Sequence, residues 1–138
     1  MHGEEHCIKN WGKERQVIGF NTPAVVSSLN GKGIISIACG IFHSLALSNN
    51  GELYSWGGGG IAYNKGQCGH GHTKDIENPT IIAALQGNKI VQVSTGGYHT
   101  LALTATNEIF AWGSGYYGEC GVGEFVDIIS PRKVIFIN

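Results

Sequence analysis

Alternating apolar and polar positions predict three short strands in the stretch from Ile35 to Trp56. Apolar residues alternate over 35–37, and the following stretch from His43 to Leu47 carries apolar side chains on both faces. A glycine-containing turn at 49–51 separates this second strand from the third strand, Glu52 to Trp56. A strand that is apolar on both faces is typical of burial between two sheets, so we expect the sheets to stack.

The same pattern returns 56 residues later, because Ile35 to Gly57 matches Val91 to Gly113 without a gap. Most of the differences are swaps of similar shape, such as Phe42 for Tyr98. A repeat longer than 50 residues that is built from short strands is typical of a propeller. The identical pairs are Gly40/Gly96, His43/His99, Leu45/Leu101, Ala46/Ala102, Leu47/Leu103, Glu52/Glu108, Trp56/Trp112 and Gly57/Gly113.

A glycine-rich tail completes each copy. Residues Gly66 to Gly71 match Gly118 to Gly123, and the first copy carries four extra residues in the loop from Gly58 to Lys65. A fourth strand led by proline is predicted at Pro79 to Ala83 and at Pro131 to Ile135, since proline at the first position loses no ladder bond. Four antiparallel strands form one β-propeller blade, so the predicted fold is all-β.

An incomplete copy precedes these two. Trp11-Gly12 stands where Trp56-Gly57 stands in the next copy, and Pro23 to Val26 stands where the fourth strand is expected. We therefore divide the chain into a partial first repeat at 1–33, a second repeat at 34–89 and a third at 90–138. Fewer than three repeats leave the propeller incomplete within one chain.

Three spaced elements resemble the repeat of the regulator of chromosome condensation family. They are Ala38-Cys39-Gly40-x-x-His43-Ser44-Leu45-Ala46-Leu47, Gly51-Glu52-Leu53-Tyr54-Ser55-Trp56-Gly57 and Gly66-Gln67-Cys68-Gly69-x-Gly71. The resemblance implies a propeller that seven such repeats close. Because isolated blades expose apolar faces, this chain is predicted to be a fragment of a larger propeller or a homo-oligomer that closes a ring.

Composition limits the partners. The chain has ten acidic and nine basic residues, and only 14% of its positions are charged, so nothing favours direct binding of nucleic acid. No apolar run is long enough to span a bilayer, and the N-terminus lacks the apolar core of a signal peptide. We expect an intracellular protein, in the cytoplasm or nucleus, that has no membrane contact.

Cysteine and histidine residues offer one candidate metal cluster, Cys68-Gly69-His70-Gly71-His72. The second copy keeps the cysteine as Cys120 but has Val122 in place of His70, so the cluster does not repeat. A buried cysteine that replaces a small hydrophobic residue is the favoured interpretation. We predict no metal and no cofactor, and we expect the four cysteines to be reduced.

The residues that recur in both copies are interpreted as structural. A histidine repeated in every blade is more typical of a hydrogen bond to neighbouring backbone than of proton transfer, and repeated tryptophans are typical of packing between blades. No catalytic residue is predicted. The repeat-structural set is Gly40, His43, Trp56, Gly57, Gly96, His99, Trp112 and Gly113.

Function is predicted to be protein binding without covalent catalysis. The resemblance implies guanine-nucleotide exchange on the small GTPase Ran, and the alternative is a scaffold propeller of the ubiquitin-ligase or membrane-traffic type. Loops that differ between the copies are the expected contact surface, and the candidate residues are Tyr63, Asn64, Tyr116 and Tyr117. Light sensing is disfavoured, since Gly96-Gly97-Tyr98 stands where related photoreceptors have Gly-Trp-Arg.

Overall fold

The computed structural model describes residues 25–115 and 126–135. Within these ranges the chain forms eight β-strands and one single-turn helix, α1, at Gly60–Tyr63. The first four strands are β1 (Ile34–Cys39), β2 (His43–Ser48), β3 (Leu53–Gly57) and β4 (Ile76–Ile81). The second four are β5 (Ile90–Thr95), β6 (His99–Thr104), β7 (Ile109–Gly113) and β8 (Ile128–Lys133). Short 3₁₀ turns lie at Ser27–Leu29 and Ala83–Leu85.

The strands form two separate antiparallel sheets, each a meander in chain order, β1-β2-β3-β4 and β5-β6-β7-β8. The register repeats as well as the sequence, because Leu45 lies opposite Ser55 in the first sheet and Leu101 lies opposite Ala111 in the second. This confirms the prediction of an all-β fold built from four-stranded propeller blades. Two blades form only part of a propeller. We call the sheets the first blade and the second blade.

The fourth strand of each blade differs from the prediction. It begins at Ile76 or Ile128, so Pro79 and Pro131 are the fourth residues of β4 and β8 and not the first. Each of these strands lies at the edge of its sheet, next to an irregularity in the pairing with β3 or β7. An edge position tolerates a residue that has no N–H to donate, which explains why proline sits inside the strand.

Stacking of the two blades creates the main core. Leu45 and Leu47 of β2 pack in one cluster with Ala102 and Trp112 of the second blade. All six residues of β2 are buried, whereas β6 alternates between buried and half-buried positions. The strand predicted to be buried on both faces is therefore found in the first blade, where the second blade covers it.

Several sequence features lie outside the described residues. They include Trp11-Gly12 and most of the partial first repeat, and the tail from Gly118 to Gly123. Val25 and Val26 are described, and they lie outside any strand. Among the described positions no helix has the length and apolar character needed to cross a membrane.

Candidate functional site

The turn between the first two strands of each blade places the repeated histidine. Gly40 N donates to His43 O over 2.9 Å, and Gly96 N donates to His99 O over 3.1 Å. A Cβ atom added at Gly40 would overlap the His43 ring, and one added at Gly96 would overlap the His99 ring. The spacing Gly-x-x-His thus lets the imidazole fold back over its own turn.

His43 is fully buried and joins the two blades. Its Nε2 lies 2.9 Å from Thr100 Oγ1 of the second blade, and the Thr100 hydroxyl donates to the backbone oxygen of Gln67 over 3.1 Å. Since the hydroxyl proton is used on Gln67, His43 Nε2 carries a proton and donates. Trp112 Nε1 donates to the same Gln67 oxygen over 2.8 Å. We call His43, Gln67, Thr100 and Trp112 the blade joint.

Burial keeps His43 neutral. It lowers the pKa of the imidazole from 6.5 to about 3, with nearby His99 as a smaller cause. A histidine with that pKa does not exchange protons near neutral pH, as general acid-base catalysis would require. The sequence predicts a bond from His43 to neighbouring backbone, and in the structure the imidazole contacts the Thr100 hydroxyl, which in turn donates to the backbone oxygen of Gln67. Thr100 and Gln67 are the residues that the sequence interpretation missed.

Gly57 and Gly113 end the third strand of each blade in a conformation that other residues avoid. Their φ angles are 103° and 105°, and a Cβ atom would meet the carbonyl oxygen of Phe42 or Tyr98. Both glycines reverse the chain next to the histidine turn. Trp56, the residue before Gly57, is 5% exposed and lies in a smaller cluster with Ala46.

The extended loop of the first blade is fixed by the side chain of Gln67. The Nε2 atom donates to Gly58 O over 3.2 Å and to Tyr63 O over 3.1 Å, and Oε1 accepts from Lys65 N over 2.6 Å. Gln67 is fully buried, so these bonds are shielded from water. The side chain of Gln67 therefore binds the loop, and its backbone carbonyl group accepts hydrogen bonds from the second blade.

Asn64 was predicted to contact a partner, and the structure places it inside the loop, where it is largely buried. It is 6% exposed, its Nδ2 donates to Asp75 Oδ1, and its Oδ1 accepts from Gly66 N, each over 3.0 Å. Asp75 also accepts from Gly60 N, at the start of α1. Asn64 therefore stabilises the loop from within, because both the nitrogen and the oxygen of its amide group form hydrogen bonds.

Tyr63 lies at the tip of this loop and is 49% exposed. Its ring centroid is 5.0 Å from that of Phe42 and 6.4 Å from that of Tyr98, and Phe42 and Tyr98 are 5.9 Å apart. Phe42 belongs to the histidine turn of the first blade, and Tyr98 belongs to the equivalent turn of the second. We call Phe42, Tyr63 and Tyr98 the aromatic cluster. Tyr116 and Tyr117, also predicted as contacts, lie outside the described residues.

A main-chain bond connects the two turns beneath the cluster. Ile41 N donates to Gly97 O over 3.0 Å, and the Ile41 side chain is 42% exposed beside the rings. A Cβ atom at Gly97 would meet the Ile41 side chain, so glycine permits the close approach. The arrangement is an aromatic and aliphatic surface that spans both blades and rests on a buried hydrogen-bonded joint.

The candidate metal residues hold protein partners. His70 Nε2 lies 2.8 Å from Ser55 Oγ, and Ser55 donates to Cys68 O over 2.6 Å. His72 Nδ1 accepts from Lys74 N over 3.0 Å. Burial, with Asp75 as a smaller cause, raises the pKa of the Cys68 thiol to about 12, and burial lowers the pKa of His70. The two imidazoles and the thiol group of this candidate cluster are thus engaged in contacts with neighbouring residues of the first copy.

The expectation of four reduced cysteines is wrong for Cys39. Cys39 is disulfide-bonded, whereas Cys68 is a free and buried thiol. Cys7 and Cys120 lie outside the described residues. Spacing along the chain could not reveal a bond, because disulfides depend on which cysteines the fold brings together.

Comparisons with known proteins agree with this architecture. Two family models match, both described as the Regulator of chromosome condensation (RCC1) repeat, over residues 50–103 and 90–119. Ultraviolet-B receptor UVR8 of Arabidopsis thaliana is 39% identical over 82% of this chain, and human E3 ubiquitin-protein ligase HERC2 is 37% identical over 76%. The crystal structure of Prp20p from Saccharomyces cerevisiae superposes with a TM-score of 0.67 at 26% identity, over 78% of this chain.

The chain is much shorter than these relatives. It covers 25% of UVR8, 2% of HERC2 and 26% of the Prp20p chain. The two blades thus match a small part of each of these longer relatives, and both family matches describe a repeat.

Proposed function

The chain belongs to the regulator of chromosome condensation (RCC1) repeat family, and we propose that its two blades bind a partner protein through the aromatic cluster, without covalent catalysis. The observation that carries this proposal is the position of Tyr63, half exposed and stacked across the boundary between the blades. Tyrosine and other aromatic side chains anchor protein interfaces because they bury a large area and lose little conformational freedom.

Rigidity supports the same proposal. The cluster rests on two turns held together by the bond from Ile41 N to Gly97 O, and the Tyr63 loop is tied down by buried Gln67. A surface that is already ordered loses less conformational entropy on binding than a mobile loop does. Tyr63 is therefore an ordered anchor on a loop that is four residues longer than its counterpart in the second copy.

A finer proposal is guanine-nucleotide exchange on a Ran-like small GTPase. The family resemblance implies an exchange factor that acts as a rigid wedge, and yeast Prp20p is described with binding to Gsp1p and histones. The alternative is a scaffold without exchange activity, which the match to the ubiquitin ligase HERC2 supports. The intracellular location predicted from the sequence belongs to the same proposal.

A nucleotide-release assay separates the two versions. Ran loaded with a fluorescent GDP analogue is mixed with micromolar protein, and we expect faster release with the natural chain and with Ile37→Ala. Ile37 is a matched control, since its apolar side chain is 64% exposed and lies outside the aromatic cluster. Tyr63→Ala is expected to abolish the acceleration.

The outcomes distinguish exchange from binding. If the natural chain does not accelerate release from Ran, the exchange proposal fails and the scaffold proposal remains. Partner proteins captured from cell extract are then purified and titrated against the three forms. A partner that binds Tyr63→Ala as tightly as the natural chain contradicts the proposed use of the aromatic cluster.

We also propose that the blades function within a larger ring, made either by further blades of a longer protein or by other copies of this chain. Light scattering on a sizing column measures the absolute mass. A defined oligomer near three subunits supports assembly from copies, and a monomer supports the longer protein.

A further inference from the structure

A cleft of about 310 Å³ lies at the end of the first blade away from the aromatic cluster. It opens between the turn that joins β2 to β3 and the connection from β4 to β5. The cluster lies where β2 begins and β3 ends, so the cleft and the cluster occupy opposite ends of the same strands. A volume near 300 Å³ is at the small end of the range for binding pockets in proteins.

The cleft has an apolar floor. Leu53, Ile82 and Leu85 line it, and each is at most 3% exposed. Glycines contribute to the wall, at Gly51 with φ 85° and Gly87 with φ 90°. At Gly87 the space beside the backbone is open, so a ligand can approach it closely, whereas at Gly51 that space is filled by Lys89 and Ile90.

Carboxamide groups surround the opening. Asn50, Gln86 and Asn88 all line the cleft. A carboxamide both donates and accepts hydrogen bonds, so it matches a peptide group, which also presents one donor and one acceptor. Lys89 lines the same rim and is exposed, and its ammonium group can donate to a carbonyl oxygen.

Glu52 places a carboxylate at the rim of the cleft. The equivalent residue of the second blade, Glu108, is already paired within its own sheet. Glu108 forms an ion pair of 2.7 Å with Lys133 of β8. The residue of β4 that corresponds to Lys133 is Ile81, and within the described ranges no ion pair to Glu52 is formed. Glu52 is exposed at the mouth of the cleft, where a basic group of a ligand can pair with it.

We propose that this cleft binds an extended peptide segment in which an aliphatic residue is followed by a basic one. The aliphatic side chain enters the cleft above Leu53 and Ile82, the peptide groups bond to the carboxamides, and the basic side chain pairs with Glu52. The apolar floor and the carboxamide rim favour a peptide over a phosphate ligand, for which several basic groups would be expected at the site.

A titration monitored by ¹⁵N NMR tests the proposal with capped dipeptides. The probe is N-acetyl-Leu-Arg-amide, and the comparison probes are N-acetyl-Gly-Arg-amide and N-acetyl-Leu-Glu-amide. We expect saturable shifts confined to residues 50–53 and 81–90 with the Leu-Arg probe. Binding of each comparison probe is expected to be about tenfold weaker, which corresponds to about 1.4 kcal/mol.

Matched variants locate the recognition. Glu52→Gln is expected to remove the preference for Arg over Glu, whereas Glu108→Gln at the equivalent position of the second blade leaves it intact. Tyr63→Ala is also expected to leave it intact, so failure here is separate from failure of the proposed partner surface. Shifts spread over the whole molecule, equal binding of all three probes, or a preference that survives Glu52→Gln would overturn the proposal.

Discussion

The two blades present the same residues in the same register and bury them differently. His43, Leu45 and Leu47 of the first blade are at most 1% exposed. Their counterparts His99, Leu101 and Leu103 in the second blade are all half-buried. Since these three residues and the register of their strands are the same in both blades, the difference comes from the neighbouring blade, which covers the first set.

The comparison shows that each blade has two different faces, one for contact with the following blade and one for contact with the preceding blade. The face with histidine and leucines needs a following blade, and the face with Thr100 and Trp112 serves a preceding blade. The contact with a neighbouring blade therefore adds to the stability of each sheet, as expected for repeat architectures. The half-buried face of the second blade is where a further blade would fit.

Replacement of the paired leucines is expected to produce the largest difference. Leu45→Ala should lower the free energy of unfolding by about 2–5 kcal/mol, because it leaves a cavity between the blades. Leu101→Ala should lower it by about 1–2 kcal/mol, since that side chain is already partly in water. Denaturant unfolding of both variants measures the two values, and equal losses would contradict the comparison.

Removal of a hydroxyl group from the blade joint is expected to give the second-largest loss in the free energy of unfolding. Thr100→Val removes the acceptor of buried His43 Nε2 and should lower the free energy of unfolding by about 1–3 kcal/mol. The matched change is Ser44→Ala, since Ser44 Oγ has only a 3.6 Å contact with Cys39 Sγ. It should lower the value by less than about 1 kcal/mol. Thermal and denaturant unfolding compare them, and a larger loss from Ser44→Ala would argue against a specific role of the joint.

Acid should weaken the joint through His43. The imidazole titrates at 6.5 in the unfolded chain and at about 3 in the folded chain. The unfolded state binds more protons between these values, so stability falls as pH falls from about 6.5 to about 3 and is unaffected by this group above 6.5. The loss is at most about 1.4 kcal/mol per pH unit.

The pH dependence of unfolding for the natural chain and for His43→Gln measures this contribution. We expect the slope between pH 6 and pH 4, a window inside the range given by the two pKa values, to be smaller in the variant. An unchanged slope in His43→Gln would show that the imidazole is not kept neutral by burial.

The smallest expected effect concerns the ion pair found in the second blade. Glu108→Gln removes the bond to Lys133, whose side chain is 51% exposed, and should change the free energy of unfolding by at most about 1 kcal/mol. Added salt should reduce the difference further. Denaturant unfolding at low and high salt checks it, and a large loss that does not depend on salt would mean that Glu108 has a structural role.

Much of the fold was predictable because the same spacing of residues occurs in both copies of the repeat. The strands β2 and β6 follow from the shared His-x-Leu-x-Leu spacing, and the turns follow from glycines that recur. The starts of β4 and β8 were missed, because Pro79 and Pro131 are at the fourth position of edge strands. Nothing in the local sequence says that a strand lies at the edge of a sheet.

The candidate site was predictable only in part. Tyr63 was predicted as a contact because its loop differs between the copies, and the structure leaves it half exposed, but Phe42 and Tyr98 were recognised only as equivalents of each other. Their proximity depends on how the blades stack, which the sequence does not state. The bond from Asn64 to Asp75 was not predicted for a similar reason, since the two residues are 11 positions apart along the chain.

A double-mutant cycle between His43 and Thr100 tests the joint most directly. His43→Ala, Thr100→Val and the double variant are unfolded in denaturant, and the coupling energy is the part of the double loss that the single losses do not explain. We predict a coupling of about 1 kcal/mol, which is typical of residues in one hydrogen-bonded network. A coupling indistinguishable from zero would contradict the account, because the blades would then not be joined through these side chains.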